Sequence, residues 1–169
     1  PGQLIDVCAC SNCPKVELFL NDKSLGCVDL DHENGLELLA SFRVAYEPGV
    51  IRAVAYDEKG CAVAHDERHS FGQGEQISLA ADKTTILGDG KDLSFITIET
   101  VDRDGYPVEN AVDYVHVTVE GAGRLLGLDN GDSTDYDDYK SATRKLFSGK
   151  LLAVVAGNGE AGEIRVKVS

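Results

Sequence analysis

Two-residue alternation, broken every few residues by turn chemistry, is the feature that most narrows what this chain can become. In "VELFL" (16–20) Val16, Leu18 and Leu20 share one side, and Glu17 and Phe19 the other. In "SFRVAY" (41–46) Phe42, Val44 and Tyr46 oppose Arg43 and Ala45. Side chains of an extended strand point alternately to its two faces, so this pattern suits a sheet covered on one side. "VIRAVAYD" and "CAVAH" follow, parted by "DEKG", and Asn-Asp, Pro-Gly and Lys-Gly steps punctuate the runs as hairpin turns do. Only "DHENGLELLA" (31–40) tempts a helical assignment, and Gly35 interrupts it.

A second set of runs begins near Gln76: "QISLAAD", "TTILGDG", "LSFITIETVD", "VDYVHVTVEG", "GRLLGLD", "KLLAVVAG" and "GEIRVKVS". Within "VHVTVE", Val115, Val117 and Val119 form one face and His116, Thr118 and Glu120 the other, as in an antiparallel strand with one solvated side. Seven such runs over about ninety residues have the spacing of an immunoglobulin-like sandwich. The polar, glycine-bearing "SFGQGEQ" (70–76) separates the two sets, which are not repeats of each other. The pattern predicts an all-β chain of two immunoglobulin-like antiparallel β-sandwiches in tandem, spanning residues 1–75 and 76–169.

Charge excludes some partners. With 29 acidic and 16 basic side chains the formal net charge is −13, which repels phosphates and argues against nucleic acid and anionic membranes. No apolar run approaches the roughly 20 residues that span a bilayer. The leading "PGQLIDVCACSNC" has neither the basic region nor the apolar run of a signal peptide, the chain has no Met, and strand-like residues begin by Leu4. The expectation is a piece excised from a longer polypeptide.

Five cysteines, Cys8, Cys10, Cys13, Cys27 and Cys61, are an odd set. "CACSNC" has C-x-C-x2-C spacing, but a zinc site needs a second ligand pair, and the remaining two cysteines stand alone. Because Cys8 and Cys10 alternate with Val7 and Ala9, they read as small buried hydrophobes with free thiols, which favours a reducing, cytoplasmic compartment.

The chemistry-bearing stretch is "GRLLGLDNGD" (123–132) running into "STDYDDYK", where Asp129, Asp132, Asp135, Asp137 and Asp138 crowd together after an apolar run. These are calcium candidates, although the EF-hand template fails: its third position from Asp129 falls on Gly131 and its sixth on Thr134. Direct substrate contact is a second possibility. The plain expectation is a solvated acidic loop opened by Asn-Gly turn chemistry. Tyr136 and Tyr139 in this loop, and Tyr106 in the turn "DGYP", are sugar-contact candidates, since aromatic rings stack on the apolar faces of pyranoses. Glycosidic cleavage needs two carboxyls roughly 5–10 Å apart, one with a raised pKa. Glu17, Glu99 and Glu120 read instead as outward-facing charge on sheets. The histidines, His32, His65, His69 and His116, read as surface groups, and "DER" between His65 and His69 as a loop or strand end. "GDGKD" (88–92) is a hairpin turn and not a phosphate loop. No cofactor is expected.

Two blocks carry a family resemblance. "KVELFLNDKSLG" (15–26) with "FRVAYEPGVIRAVAYDEKG" (42–60) resembles the accessory domain that follows the catalytic barrel in bacterial glycoside hydrolase family 2 enzymes of β-galactosidase type. "LAADKTTILGDGKDLSFITIETVDRDGYPVENA" (79–111), with "GRLLGLDNGD" and "KLFSGKLLAVV", is similar to their next, C-terminal immunoglobulin-like domain. The resemblance implies a parent that hydrolyses β-glycosides with retention, using two glutamates on a (β/α)8 barrel. Such a barrel takes about 250 residues, and nothing like it fits here, so no catalytic residue carries over. Where the family has a Tyr-Ser-Asn-containing strand, this chain has "CACSNC", with Cys10 at the aromatic's place. The partners implied are the catalytic barrel and other domains of the parent, with carbohydrate as a further candidate. The alternative is a self-standing carbohydrate-binding or adhesion module, since tandem sandwiches also build surface adhesins.

Overall fold

A computed structural model describes residues 1–31 and 38–169. Among the described residues it is all strand and turn, as the alternation predicts. The stretch considered for a helix lies, over residues 32–37, outside the described residues. So does His32. The chain divides into two compact units, Pro1–Ser70 and Phe71–Ser169.

Among its described residues the first unit has six strands: β1 (Leu4–Cys10), β2 (Lys15–Leu20), β3 (Lys23–Asp29), β4 (Leu39–Ala45), β5 (Val50–Tyr56) and β6 (Ala62–His69). They form two antiparallel sheets, a pair β1-β4 and a four-stranded sheet in the order β3-β2-β5-β6. The β2–β3 hairpin turns on Asn21 and Asp22, whose φ angles of 48° and 63° these two residue types tolerate. Asn21 then ties the turn down: its Oδ1 accepts the Val50 amide at 2.9 Å, and its Nδ2 donates to the Pro48 carbonyl at 3.1 Å. Val16, Leu30 and Ala40 form a small core, joined by Ala9, Val28, Phe42 and Ala53 from both sheets.

Alternation also corrects the cysteine expectation. In β1 the partly covered residues are Ile5, Val7 and Ala9, so Cys8 and Cys10 fall on the other side and are exposed. Cys27 and Cys61 are exposed as well, and all five thiols are free. The segment between His65 and His69 is the strand end and not the loop of the two expected alternatives. Strand β6 runs unbroken through His69, and its register against β5 pairs His65 with Val54 and His69 with Val50.

The second unit contains β7 (Gln76–Ala81), β8 (Leu93–Val101), β9 (Tyr114–Gly121), β10 (Gly123–Asp129), β11 (Thr143–Lys145), β12 (Lys150–Gly157) and β13 (Ile164–Val168). Sheets β10-β12-β8-β7 and β11-β9-β13 enclose a core that includes Ile98, Val117, Leu128, Leu146, Leu151 and Val155. The segment "TTILGDG" is not a strand. Side chains hold it as a loop: Asp92 Oδ2 accepts the Leu87 amide at 3.0 Å, and Asp89 Oδ1 accepts the Lys91 and Asp92 amides. In its place β11, three residues long, completes the smaller sheet. The outward glutamates find cations, Glu99 meeting Lys150 at 2.8 Å and Glu120 meeting Lys167 at 2.7 Å, while Glu17 accepts hydrogen bonds from Ser24 and Tyr56.

Candidate functional site

The acidic loop is a folded object. Leaving β10 at Asp129, the chain turns back across its own strand, and the Leu128 amide donates to the Tyr139 carbonyl at 2.8 Å. Gly127 allows this approach, because a Cβ there would lie 2.6 Å from the Tyr139 carbonyl oxygen. A register shift between Leu125 and Gly127 frees the Leu126 carbonyl, which accepts a bond from Lys140 Nζ at 2.8 Å.

Four of the five carboxylates named from the sequence organise local backbone. Asp129 Oδ1 accepts the Gly131 amide, Asp132 Oδ1 the Thr134 amide, Asp135 Oδ1 the Asp137 amide and Asp138 Oδ1 the Lys140 amide, all at 2.8–3.0 Å. Asn130 Oδ1 takes the Asp132 amide in the same i to i+2 pattern. A run of such Asx turns explains why a short loop carries so many aspartates. Asp137 Oδ2 is buried without a hydrogen-bond partner among the described residues.

Beneath the loop lies Arg144 of β11, fully buried. Its Nη1 donates to the Leu128 and Asp137 carbonyls at 3.2 and 3.1 Å, and its Nη2 sits 3.2 Å from Asp135 Oδ2 as an ion pair. The guanidinium stacks over the Tyr139 ring at 4.3 Å. Asn130 Nδ2 reaches Asp135 Oδ2 at 2.6 Å and the Lys145 carbonyl at 3.1 Å. Lys145 Nζ stands 3.9 Å from both Asp132 and Asp135. Asp135 is thus 3% exposed and paired, which overturns the expectation of a merely solvated loop. The Asp137 amide foremost, then Asn130, Arg144 and Lys145, hold its carboxyl below the usual range against the opposing effect of burial. Thr134, by hydroxyl and then amide, lowers Asp132 likewise.

The three tyrosines part company. Tyr139 gives one ring face to Arg144, whereas Tyr136 is 98% exposed. Tyr106 belongs to another turn, built on buried Asp102, whose carboxylate accepts the Gly72, Asp104 and Tyr106 amides at 2.8–3.0 Å. Those amides, Gly72 first, hold Asp102 below the ordinary carboxylate range. Sequence reasoning missed Arg144, Asn130 and Asp102. Alternation could not expose a buried arginine in a three-residue strand, although "VDRDGYP" is the kind of turn in which an aspartate caps its own backbone.

In the first unit a groove of about 490 Å³ opens between β1 and β6. Its floor includes Val16, Leu18, Ala53 and Ala55, and its rim His65, Asp66, Glu67 and Arg68.

Comparison with known proteins places this architecture. The sequence model described as glycoside hydrolase family 2 C-terminal domain 5 matches residues 77–169, and one described as a domain of unknown function (DUF4982) matches residues 2–64. The chain is 37% identical to Beta-galactosidase BoGH2A of Bacteroides ovatus, over 98% of its own length and 19% of that protein's. It superposes with a TM-score of 0.90 and 34% identity on a glycosyl hydrolase family 2 member from Bacteroides cellulosilyticus, covering 99% of this chain and 23% of that one. A beta-glycosidase from Bacteroides vulgatus gives a TM-score of 0.91 and 30% identity over 99% of this chain and 21% of that one. The chain therefore spans about a fifth of the length of the relatives it matches. With both units matched in one continuous alignment, it belongs to glycoside hydrolase family 2.

Proposed function

We propose that this chain is a non-catalytic C-terminal part of a β-galactosidase-like glycoside hydrolase, packing on the catalytic barrel and other domains and supporting the shape of the substrate cleft. The observation that carries this reading is the near-complete match to relatives of which the chain covers only about a fifth. The carboxylates support it too. A glycosidase acid must hold its proton near neutrality, so its pKa is raised. Among the described residues every carboxyl with a resolved shift, Asp102, Asp132 and Asp135 included, is pushed down. The acidic loop is built as structure, and its carboxylates serve turns and Arg144.

The test is hydrolysis of a chromogenic β-galactoside, with a β-glucuronide alongside, by the 169-residue chain and by its parent. The parent should release chromophore and the chain none above buffer. Turnover by the chain that vanishes with a single carboxylate substitution would overturn the reading. So would a parent gene in which further sandwiches, and no barrel, adjoin this segment. Sugar contact by the accessory units falls first to Tyr136, whose ring is free. In the parent, Tyr136→Ala should then raise KM for an extended oligosaccharide and leave a simple chromogenic galactoside unaffected.

A further inference from the structure

The groove of the first unit coincides with an unpaired strand edge. Strand β4 approaches β3, and Ala9 of β1 joins Ala40 and Phe42 of β4 in one cluster with Val16, Val28 and Ala53 of the larger sheet. Two strands cannot cover four, so among the described residues the inner face of β6, beyond the covered Ala53 and Ala55 of β5, stays open. Strand β6 is exposed along its length up to Arg68. The register sets Ala64 opposite Ala55, Asp66 opposite Ala53 and Arg68 opposite Ile51, so the groove face has three alanines, Ala53, Ala55 and Ala64, that leave depth for another layer, and an Asp66–Arg68 pair towards its far end.

The same side of the sandwich presents the bare edge of β1. The Ser11 amide donates to the Leu38 carbonyl, and the register pairs Cys10 with Leu39 and so on to Leu4 with Ala45. Hydrogen-bonded and non-bonded pairs alternate along an antiparallel ladder. Asp6, Cys8 and Cys10 therefore turn their N–H and C=O groups away from β4, and among the described residues no strand pairs with that edge. Long edges are normally guarded by lysine, proline or a bulge. The edge of β6, "AVAHDERH", is charged, but β1, "LIDVCAC", has one aspartate and none of those guards.

We propose that the groove between β1 and β6 is the seat of a seventh strand, an extended segment of the parent polypeptide lying outside these 169 residues. It adds to the edge of β1 and lays alternate apolar side chains onto Ala53, Ala55 and Ala64. A strand is the occupant that meets both demands, since it satisfies the backbone groups of β1 and covers the open face of β6. Immunoglobulin-type sandwiches divide seven strands as four and three. Here, among the described residues, six are present as four and two, and the deficit falls in the smaller sheet. The relatives supply the material, since about four-fifths of their length lies beyond the part matched here. The inference rests on the reading of the chain as part of a larger enzyme.

Hydrogen–deuterium exchange at residue resolution tests it, comparing the 169-residue chain with the full-length parent. The amides of Asp6, Cys8 and Cys10 should exchange freely in the chain and at least about a hundredfold more slowly in the parent. Ala64→Glu should leave the melting of the 169-residue chain unchanged and speed exchange of the same three amides in the parent. Equal exchange in both proteins would overturn the proposal. So would protection that appears in the 169-residue chain as its concentration rises, which would make a second copy the occupant. A parent without a barrel defeats the functional reading whatever the amides do. Open amides in a barrel-containing parent defeat this inference alone.

Discussion

In Phe71–Ser169 two sheets close on Ile98, Val117, Leu128, Leu146, Leu151 and Val155, each at most 2% exposed. In Pro1–Ser70 the described core is Val16, Leu30 and Ala40, with Leu18 and Ala55 buried at the margin of an open groove. Both units also hold an arginine beside an aspartate and an aromatic ring. Arg144 is fully buried against Asp135 and Tyr139, whereas Arg52 reaches Asp22 at 3.3 Å and Phe19 at 5.3 Å with 37% of its side chain exposed. The same trio is a structural post in one unit and surface decoration in the other. Matched sheets, more than strand number, make a sandwich self-sufficient, because only apolar area removed from water offsets the entropy of ordering the chain.

The sharpest way to break this contrast is to separate the units. Residues 71–169 made alone should unfold cooperatively, with a calorimetric enthalpy of about 60–80 kcal/mol for a domain of roughly 100 residues. Residues 1–70 made alone should show no cooperative transition, since its sheets lack a closed core. A sharp, two-state melt from the smaller piece would show that the open groove costs it nothing.

Next in size come the two arginines. Arg144→Ala leaves buried Asp135 with only the more distant Lys145 and strips donors from the Leu128 and Asp137 carbonyls, so it should cost about 3–5 kcal/mol. Arg52→Ala removes a solvent-exposed pair and should cost less than about 1 kcal/mol. Urea midpoints of the two variants in the intact chain decide the matter, and equal losses would erase the distinction. Arg144→Lys should recover only part of the loss, because an ammonium cannot reproduce a planar guanidinium's fork and stacking.

These two arginines also show what could be read without coordinates. Alternation located β2, β5, β8, β9 and β12, and Asn21-Asp22 announced its hairpin, since both signals are local properties of the backbone. The inside–outside assignment is local too, but in "DVCAC" every residue except Asp6 is apolar or small, so hydrophobicity alone does not choose which face the thiols take. Strand β11 is too short to display a period. Nothing in "SATRKLFSG" says that its arginine lies under a loop that begins fifteen residues earlier, because that fact depends on Gly127 and on the return of the chain across β10. "TTILGDG" differs for a related reason: β-branched residues suggest a strand, but Asp92 captures the Leu87 amide and Asp89 turns the chain by taking the Lys91 and Asp92 amides.

Acid should separate the units further. Asp102, Asp132 and Asp135 of the second unit all have lowered carboxyl pKa values, chiefly through amide and hydroxyl donors, whereas among the described residues of the first only Glu17 is so shifted. A carboxyl whose folded pKa lies below its unfolded value of about 3.9 binds fewer protons when folded. Its contribution is therefore complete above about pH 4–5 and is lost as pH falls through the folded value. Residues 71–169 should hold a constant urea midpoint from pH 7 to 5 and lose stability progressively below pH 4. Asp102→Asn should start lower and fall less steeply, because it cannot lose what it no longer has. A midpoint indifferent to pH 3 would remove these carboxylates from the account of stability.

The smallest effect concerns calcium, for which Asp129, Asp132, Asp135 and Asp137 are the sequence candidates. A calcium ion wants six to eight oxygens at 2.3–2.6 Å. To supply them, the loop would have to release its amide bonds at Asp129, Asp132 and Asp135 and pull Asp135 from Arg144. No group of three or more His, Cys, Asp or Glu side chains converges among the described residues. Cation binding would therefore be paid for in turns already made. A site filled at 100 times its dissociation constant would add about 2.7 kcal/mol, a shift of several degrees for a unit of this size. Melts in calcium, magnesium and chelator should instead coincide to within about 1 °C, well below that shift. Asp137 sets the sensitivity of the test, since its Oδ2 is buried with no hydrogen-bond partner among the described residues and has most to gain from a cation. A calcium-specific shift lost in Asp137→Asn would turn that oxygen into a ligand and the run of Asx turns into its scaffold.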